Sequence, residues 1–254
     1  MNAVYTALFG NYDDLLPINF DSKLKFICFT DNRSLFVKGW EVRYIELCNL
    51  SPRDSNRHIK FKPHEYLPDY LYTLYIDSNI EIKKDPSYIF NKYASFTDLA
   101  IPKHRIRNCL YKEINACVEA GLITELEVNP QFQKLLREGF PREYGLSENG
   151  IIFRKNTKII NNLMDAWWCD YISGVRRDQL SLSYLMWKMN INLSYMEETA
   201  FNRNDYFQYR IHKNNRRSGF RGKFSDFLLE RKYKFKLLFN ISKILIFIKN
   251  IIRK

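Results

Sequence analysis

Long apolar runs, paired cysteines and a glycine-rich phosphate loop are all missing from this sequence. The longest unbroken apolar run near the C-terminus is Ile244 to Ile248, far short of the roughly 20 residues that span a bilayer, so no transmembrane helix is expected. The five cysteines (Cys28, Cys48, Cys109, Cys117, Cys169) are odd in number, scattered and without a C-x-x-C pair. That excludes a disulfide framework and a structural zinc site as organising devices and fits a reducing compartment. A strand-like run begins almost at once, with no charged segment leading into a long apolar stretch, so no signal peptide is expected. Nothing near the N-terminus resembles the Gly-rich, Lys/Arg-studded loop that nucleotidyl transfer favours. Internal repeats and low-complexity linkers are also missing.

The body of the chain lacks net charge as well. Residues 210–254 carry 14 of the 40 Lys and Arg but only Asp226 and Glu230 of the 28 acidic residues, leaving 26 basic and 26 acidic residues in 1–209. The formal charge of +12 therefore belongs to a tail whose partners are anionic: lipid headgroups, nucleic acid or an acidic protein. The division predicts a catalytic or binding domain over 1–209 and a basic helical extension over 210–254.

What is present reads as α/β. Apolar runs at 3–9, 24–29, 40–47 and 70–76 are dense in β-branched and aromatic residues and suit strands covered on both faces. Helical signals occupy 86–93, 112–122, 130–138, 158–172 and 178–189, with a further strand near 150–154. Alternation of this kind predicts a mostly parallel sheet flanked by helices, with the ligand crevice at the carboxyl ends of the strands. Asp31 and Asp77 both fall at such ends.

Four groups carry chemistry. Leu74 to Ile76 delivers Asp77-Ser78-Asn79 into a loop, and residues two apart on an extended segment point the same way. Asp77 and Asn79 could then offer oxygen to one hard cation; the alternative is a plain turn. Arg176-Arg177-Asp178-Gln179 opens a helical stretch, where Asp178 either answers the helix dipole or faces a sugar or acceptor hydroxyl, with Gln179 holding a hydroxyl nearby. His104 and Arg105, among Lys103 and Arg107, either bind phosphate or an acidic sugar or form a solvated loop. Arg57, Lys60 and His64, with Arg53 and Lys62, precede the Asp77 strand and either wall a diphosphate site or make a charged helix face. His212 stands alone in the basic tail, as a surface residue or as a neutral imidazole completing a metal site with Asp77.

The ordered series Tyr5-Thr6-Ala7-Leu8-Phe9-Gly10-Asn11-Tyr12-Asp13, Phe29-Thr30-Asp31-Asn32, Lys62-Pro63-His64, Ile76-Asp77-Ser78-Asn79, His104-Arg105 with Cys109, Tyr111 and Glu113, Gly145-Leu146-Ser147-Glu148, and Arg177-Asp178-Gln179-Leu180-Ser181 resembles a known group. It is similar to the bacterial branch of the glycosyltransferase-like family that includes plant seed-mucilage and turgor-regulation proteins. The resemblance covers roughly residues 3–190. It implies a GT-A fold, a nucleotide-diphosphate-sugar donor, UDP-linked above all, and a divalent cation, Mn2+ or Mg2+, at Asp77. It also implies that Thr6, Ala7, Phe9, Tyr12 and Asp31 line the nucleoside pocket and that Glu148 joins Asp178 and Gln179 among the catalytic residues. Asp77-Ser78-Asn79 departs from the family's Asp-Gly-Asn or Asp-Gly-Lys, and Lys103-His104-Arg105 departs from its His-Pro-x-Arg. A looser likeness to glycogenin-type retaining transferases gives Asp178-Gln179 the sugar-facing role and His212 a place on the metal.

In the tail, Leu237, Leu238, Ile241, Ile244, Leu245, Ile248, Ile251 and Ile252 recur at helical spacing among Lys236, Lys243, Lys249, Arg253 and Lys254. A basic, strongly apolar helix suits the surface of an anionic membrane; packing on its own domain or a partner is the alternative. The tail's excess of apolar residues favours lipid over nucleic acid. The expectation is a metal-dependent glycosyltransferase, peripheral on the cytoplasmic face of the inner membrane, acting on a glycan or lipid-linked glycan in surface polysaccharide or lipooligosaccharide assembly. Sugar-activating nucleotidyl transfer and a non-catalytic membrane- or nucleic-acid-binding protein are the alternatives.

Overall fold

The structure is a computed structural model that describes the backbone of residues 1–252 and the side chains of residues 1–244. Strands β1 (Asn2–Leu8), β2 (Lys25–Thr30), β3 (Glu41–Tyr44), β4 (Tyr72–Ile76), β6 (Leu99–Pro102), β7 (Ile151–Lys155) and β8 (Ser194–Met196) form one sheet in the order β3-β2-β1-β4-β7-β6-β8. A short ribbon pairs β5 (Ile80–Ile82) with β9 (Phe207–Tyr209) antiparallel. The helices are α1 (Pro52–Phe61), α2 (Pro63–Tyr66), α3 (Ser87–Ala94), α4 (Leu110–Glu119), α5 (Glu125–Arg137), α6 (Lys158–Ser173), α7 (Leu182–Lys188), α8 (Gly219–Arg231) and α9 (Lys236–Ile252).

The sheet is mostly parallel, as the alternation of strand and helix signals required. Only β7 runs against its neighbours, antiparallel to both β4 and β6. Both faces are covered. Tyr5, Ala7, Phe9 and Tyr75 pack toward α1, α4, α6 and α7, whereas Val4, Leu74, Ile76 and Phe153 pack toward α3 and the β5–β9 ribbon. This two-sided burial explains why the strands read as continuous apolar runs.

Chain order places the crevice. From β1 the sheet grows outward to β2 and β3, and then the chain returns to lay β4 on the other side of β1. Strand order reverses between β1 and β4, and a parallel sheet opens a cleft beyond the carboxyl ends of such a pair. Phe9-Gly10 leaves β1 there and Asp77 leaves β4. Helix α1 packs across the same region, capped by the Ser51 side chain with Pro52 in its first turn. Its last turn is clamped by Arg154 from β7, fully buried, which donates to the Lys60 carbonyl at 2.7 Å and to the Tyr5 hydroxyl.

The chain does not leave the body at residue 209. Arg210 N–H donates to Asn79 O at 2.8 Å and the Asn79 amide donates back to Arg210 O at 2.9 Å. The expected division between 209 and 210 thus falls inside a docked segment. All five cysteines are free thiols. Among the described residues no helix is long and apolar enough to cross a membrane.

Candidate active site

A cavity of about 470 Å³ sits at the β1–β4 reversal, lined by Phe9, Gly10, Tyr12, Ser51, Pro52, Arg53, Asn56, Arg57, Asp77 and His212. Residues from opposite ends of the chain meet here because the tail returns over the cleft after pairing β9 with β5.

Asp77 is the first residue beyond β4. Its N–H donates to Gly150 O at 2.8 Å, and its Oδ1 accepts from the Tyr75 hydroxyl at 2.8 Å and from Lys60 Nζ at 3.5 Å. Gly150 keeps room for this carboxylate, because a Cβ there would lie 3.2 Å from Asp77 Oδ2 and 3.1 Å from Ile80 Cδ1. Burial, followed by the Asp77 charge, pushes the Tyr75 hydroxyl well above its ordinary pKa, so it remains a donor to Asp77.

Lys60 and Arg57, spaced i and i+3 on α1, face the same way. Lys60 is 1% exposed along its side chain and joins two carboxylates, with Nζ 2.7 Å from Asp178 Oδ2 and 3.5 Å from Asp77 Oδ1. Arg57 Nε lies 3.3 Å from Asp178 Oδ2. Burial alone would raise the Asp178 carboxyl, but Arg57, Lys60 and Arg177 outweigh it and hold the group well below the usual carboxylate range. Asp178 and Gln179 lie in a 3-10 turn ahead of α7 and not in the first turn of an α-helix, which removes the helix-dipole role. The turn is fixed through its backbone, since Asp178 O accepts from Asn149 Nδ2 and Trp167 Nε1, both at 3.0 Å, while Gln179 Nε2 donates to Ser147 O at 2.8 Å.

His212 lies at the cavity rim with Nδ1 2.6 Å from Asp13 Oδ2, its ring 5.7 Å from that of Tyr12. Asp13 is buried and also accepts from Lys213 N at 3.2 Å. A carboxylate on one ring nitrogen fixes the tautomer that leaves the other as a lone-pair donor, an arrangement common behind metal-bound histidine. Asp77 and His212 both line this cavity and could offer one oxygen and one nitrogen to a divalent cation.

Several expected site residues lie elsewhere. Asn79 does not join Asp77. Ile80 N–H donates to Asp77 O at 2.9 Å, so the strand ends in a turn and the two-residue alternation stops at 77. Asn79 lines a neighbouring cavity and holds the tail at Arg210. Thr6 and Ala7 are buried inside the two-sided sheet at 1% exposure each, and neither lines the cleft. Asp31 is exposed but adjacent: both its oxygens accept from Gly10 N–H, at 3.1 and 3.0 Å. That contact braces the loop after β1, where Gly10 has φ +71° and a Cβ would lie 2.7 Å from Pro52 Cβ.

His64 is carried away by the break at Lys62 between α1 and α2, and its Nε2 lies 3.2 Å from Asp165 Oδ1. His64, Glu65 and Asp165 bring their donor atoms within 4.8 Å of one another, but Lys62 Nζ already pairs with both acids. His104 is buried with Nδ1 accepting from Arg107 N–H at 2.9 Å, so it braces its own loop, and it does not line the cavity. Burial lowers its pKa despite Glu113 nearby. Arg105 pairs with Glu148 and stacks over Phe201 at 3.9 Å, so neither lines the cavity. Burial raises the Glu148 carboxyl.

Sequence reasoning passed over Tyr75, Gly150, Asp13 and Asn56. Tyr75 carried a usable signal, two residues before Asp77 on the same strand, and Asp13 closed the Tyr5–Asp13 series.

The structure is similar to the crystal structure of mouse xyloside xylosyltransferase 1 in its apo form, at 11% identity over 80% of this chain and 87% of that one, with a TM-score of 0.46. It is also similar to the crystal structure of galactosyltransferase LgtC in complex with donor and acceptor sugar analogues, at 13% identity over 80% of this chain and 75% of that one, with a TM-score of 0.44. No curated protein matches the sequence. The model of the TOD1/MUCI70 glycosyltransferase-like domain matches residues 31–215, nearly three quarters of the chain. That span takes in Asp77, the α1 cations, Asp178, Gln179 and His212, and the chain belongs to the TOD1/MUCI70 glycosyltransferase-like family.

Proposed function

We propose that this glycosyltransferase draws its sugar from a nucleotide-diphosphate donor, UDP-linked, held in the cavity at the β1–β4 reversal. The observation that carries the reading is the meeting of Asp77 and His212 in one cavity with Arg53 and Arg57, because this pairs a cation site with cationic walls. A divalent metal, Mn2+ or Mg2+, bound there would act as a Lewis acid toward the departing nucleoside diphosphate. The chain's own residues supply the rest. Phe9 and Tyr12 form an apolar and aromatic wall for the nucleoside, with Asp31 bracing that wall through Gly10. Arg53 and Arg57 face the diphosphate as fixed positive charge, which costs no reorganisation as negative charge develops on the leaving oxygen.

Asp178 acts beside the sugar as a fixed anion and as the partner that positions Lys60 and Arg57. A general base works best with a pKa near the operating pH, and a carboxylate locked by two cations well below its ordinary range is a weak one. This favours retention of anomeric configuration over an inverting displacement, with Gln179 at the sugar. The acceptor is a glycan or lipid-linked glycan in bacterial surface polysaccharide assembly. The basic tail lies against an anionic membrane at its cytoplasmic face, supported by the apolar-and-basic helix α9.

Titration calorimetry of UDP with and without Mn2+ tests the site. Binding is expected to need the metal and to weaken roughly 10–100-fold in Asp77→Ala and His212→Ala. Equal affinity in wild type and both variants would remove the cavity from consideration as the donor site.

A further inference from the structure

Helix α8 carries a surface that its sequence conceals. Phe220, Phe224 and Phe227 fall at i, i+4 and i+7 and so form one stripe, exposed by 87%, 46% and 42%. The helix is held at its C-terminal end. Leu228 is buried, Gln208 Nε2 donates to Glu230 O at 3.1 Å, and Glu230 accepts from Arg210 at 3.0 Å and from Ile211 N–H at 3.0 Å. The helix is thus docked on the β9 segment, with the Phe220 ring exposed and those of Phe224 and Phe227 part-exposed.

The charges sort in the same way. Asp226 and Glu230, the tail's two acids, are both occupied, Asp226 by the Arg217 backbone N–H at 2.8 Å and Glu230 by Arg210. Among the described residues Arg221 and Lys223, which flank the stripe, are exposed and have no ion-pair partner. Arg231 stands 4.5 Å over the Phe227 ring at the far end. The exposed face is therefore aromatic and basic without an accessible acid. Phe235, Leu237 and Ile244, exposed by 43%, 70% and 58%, follow in the next segment with Lys236 and Lys243.

We infer that the Phe220–Phe224–Phe227 stripe of α8 is an insertion surface for an anionic lipid bilayer, with Arg221 and Lys223 on headgroup phosphates and the rings at the acyl boundary. Phenylalanines between cations satisfy both requirements of an interfacial helix, apolar area and attraction to anionic lipid. A protein partner with an acidic rim, nucleic acid and a second copy of the chain are the competing occupants. The inference deepens the membrane-surface reading given above, moving the contact upstream of α9 onto a helix that leads directly from His212. The link is short: Lys213 and Arg216 pair with Asp14 at 2.9 and 2.8 Å, beside the Asp13 that holds His212.

The test is co-sedimentation of the full chain with phosphatidylcholine vesicles, with and without phosphatidylglycerol, alongside donor hydrolysis in solution. Wild type should bind only the anionic vesicles, and binding should fall with salt. Phe220→Ala/Phe224→Ala/Phe227→Ala should lose roughly tenfold or more of its partitioning while keeping the wild-type circular dichroism at 25 °C. Arg221→Glu/Lys223→Glu should lose binding while the rings stay intact, and both variants should hydrolyse donor at the wild-type rate. Vesicle binding by the triple variant at wild-type strength would overturn the inference. So would wild-type chain that ignores anionic vesicles but binds DNA, or that dimerises through the stripe. Absence of donor hydrolysis in every form would count against the transferase site and leave the vesicle result standing by itself.

Discussion

Lys60→Met tests the electrostatic centre of the site. The substitution keeps the stem and removes an ammonium that is 1% exposed, 2.7 Å from Asp178 and 3.5 Å from Asp77. Removing one member of a buried ion pair leaves the other charge uncompensated and typically costs about 3–5 kcal/mol. Arg57 still stands 3.3 Å from Asp178, and Asp77 is 30% exposed, so the loss should fall near the lower end, about 3 kcal/mol. For a chain of this size that lowers Tm by roughly 6–12 °C.

The pH dependence has a defined sign. Asp178 is held below its ordinary pKa in the folded chain, so its contribution is present above the unfolded value of about 4 and is lost as pH falls through the folded value. The gap between wild type and Lys60→Met should therefore be constant from about pH 5 upward and close in acid. Urea denaturation across pH reads this directly. Adding Asp178→Asn to Lys60→Met removes the orphaned charge, and the double variant should be more stable than Lys60→Met alone. A loss below about 1 kcal/mol for Lys60→Met, or a double variant less stable than the single one, would refute the buried-pair reasoning.

Three further outcomes follow from the geometry. Gly150→Ala brings a Cβ to 3.2 Å from Asp77 Oδ2, so donor turnover should fall at least tenfold while circular dichroism at 25 °C stays unchanged; full turnover would show that Asp77 tolerates displacement. Tyr75→Phe removes the 2.8 Å hydrogen bond to Asp77 and should cost about 1.5–3 kcal/mol in denaturant unfolding, as a buried bond to a charged acceptor does. Asp13→Asn leaves His212 in place but loosens its tautomer and orientation. Mn2+ binding in the presence of UDP, followed by electron paramagnetic resonance, should weaken roughly 10–100-fold.

Much of the architecture was legible because it rests on short-range patterns. The apolar runs at 3–9, 24–29 and 70–76 each end in turn-forming residues and became β1, β2 and β4. Helix α1 was legible only as a charged helix face, the alternative reading of Arg57 and Lys60, because Pro52–Phe61 is mostly polar, and the face it buries includes Asp54, Ser55, Asn56 and Lys60. A helix that lines a charged cleft has no apolar stripe to betray it. The antiparallel sense of β7 has no local signal at all. Within the site, Asp77, Arg57, Lys60, Asp178 and His212 were all named from sequence, but the Lys60 link between two carboxylates depends on α1 packing across β1. Asn79 was misplaced because the two-residue alternation was carried through the turn at Asp77–Ile80, and His64 because the local cation cluster carries no sign of the kink at Lys62. For α8, Leu229 lies opposite the three phenylalanines while Leu228 flanks them, so apolar residues occupy more than one side and the amphipathic pattern blurs.

Turnover of a panel of nucleotide sugars, with and without Mn2+, in wild type and Asp77→Ala addresses the catalytic claim most directly. One uridine-linked sugar should be hydrolysed only with metal, and only by the chain whose residue 77 is aspartate. Metal-independent hydrolysis that continues unchanged in Asp77→Ala would contradict it.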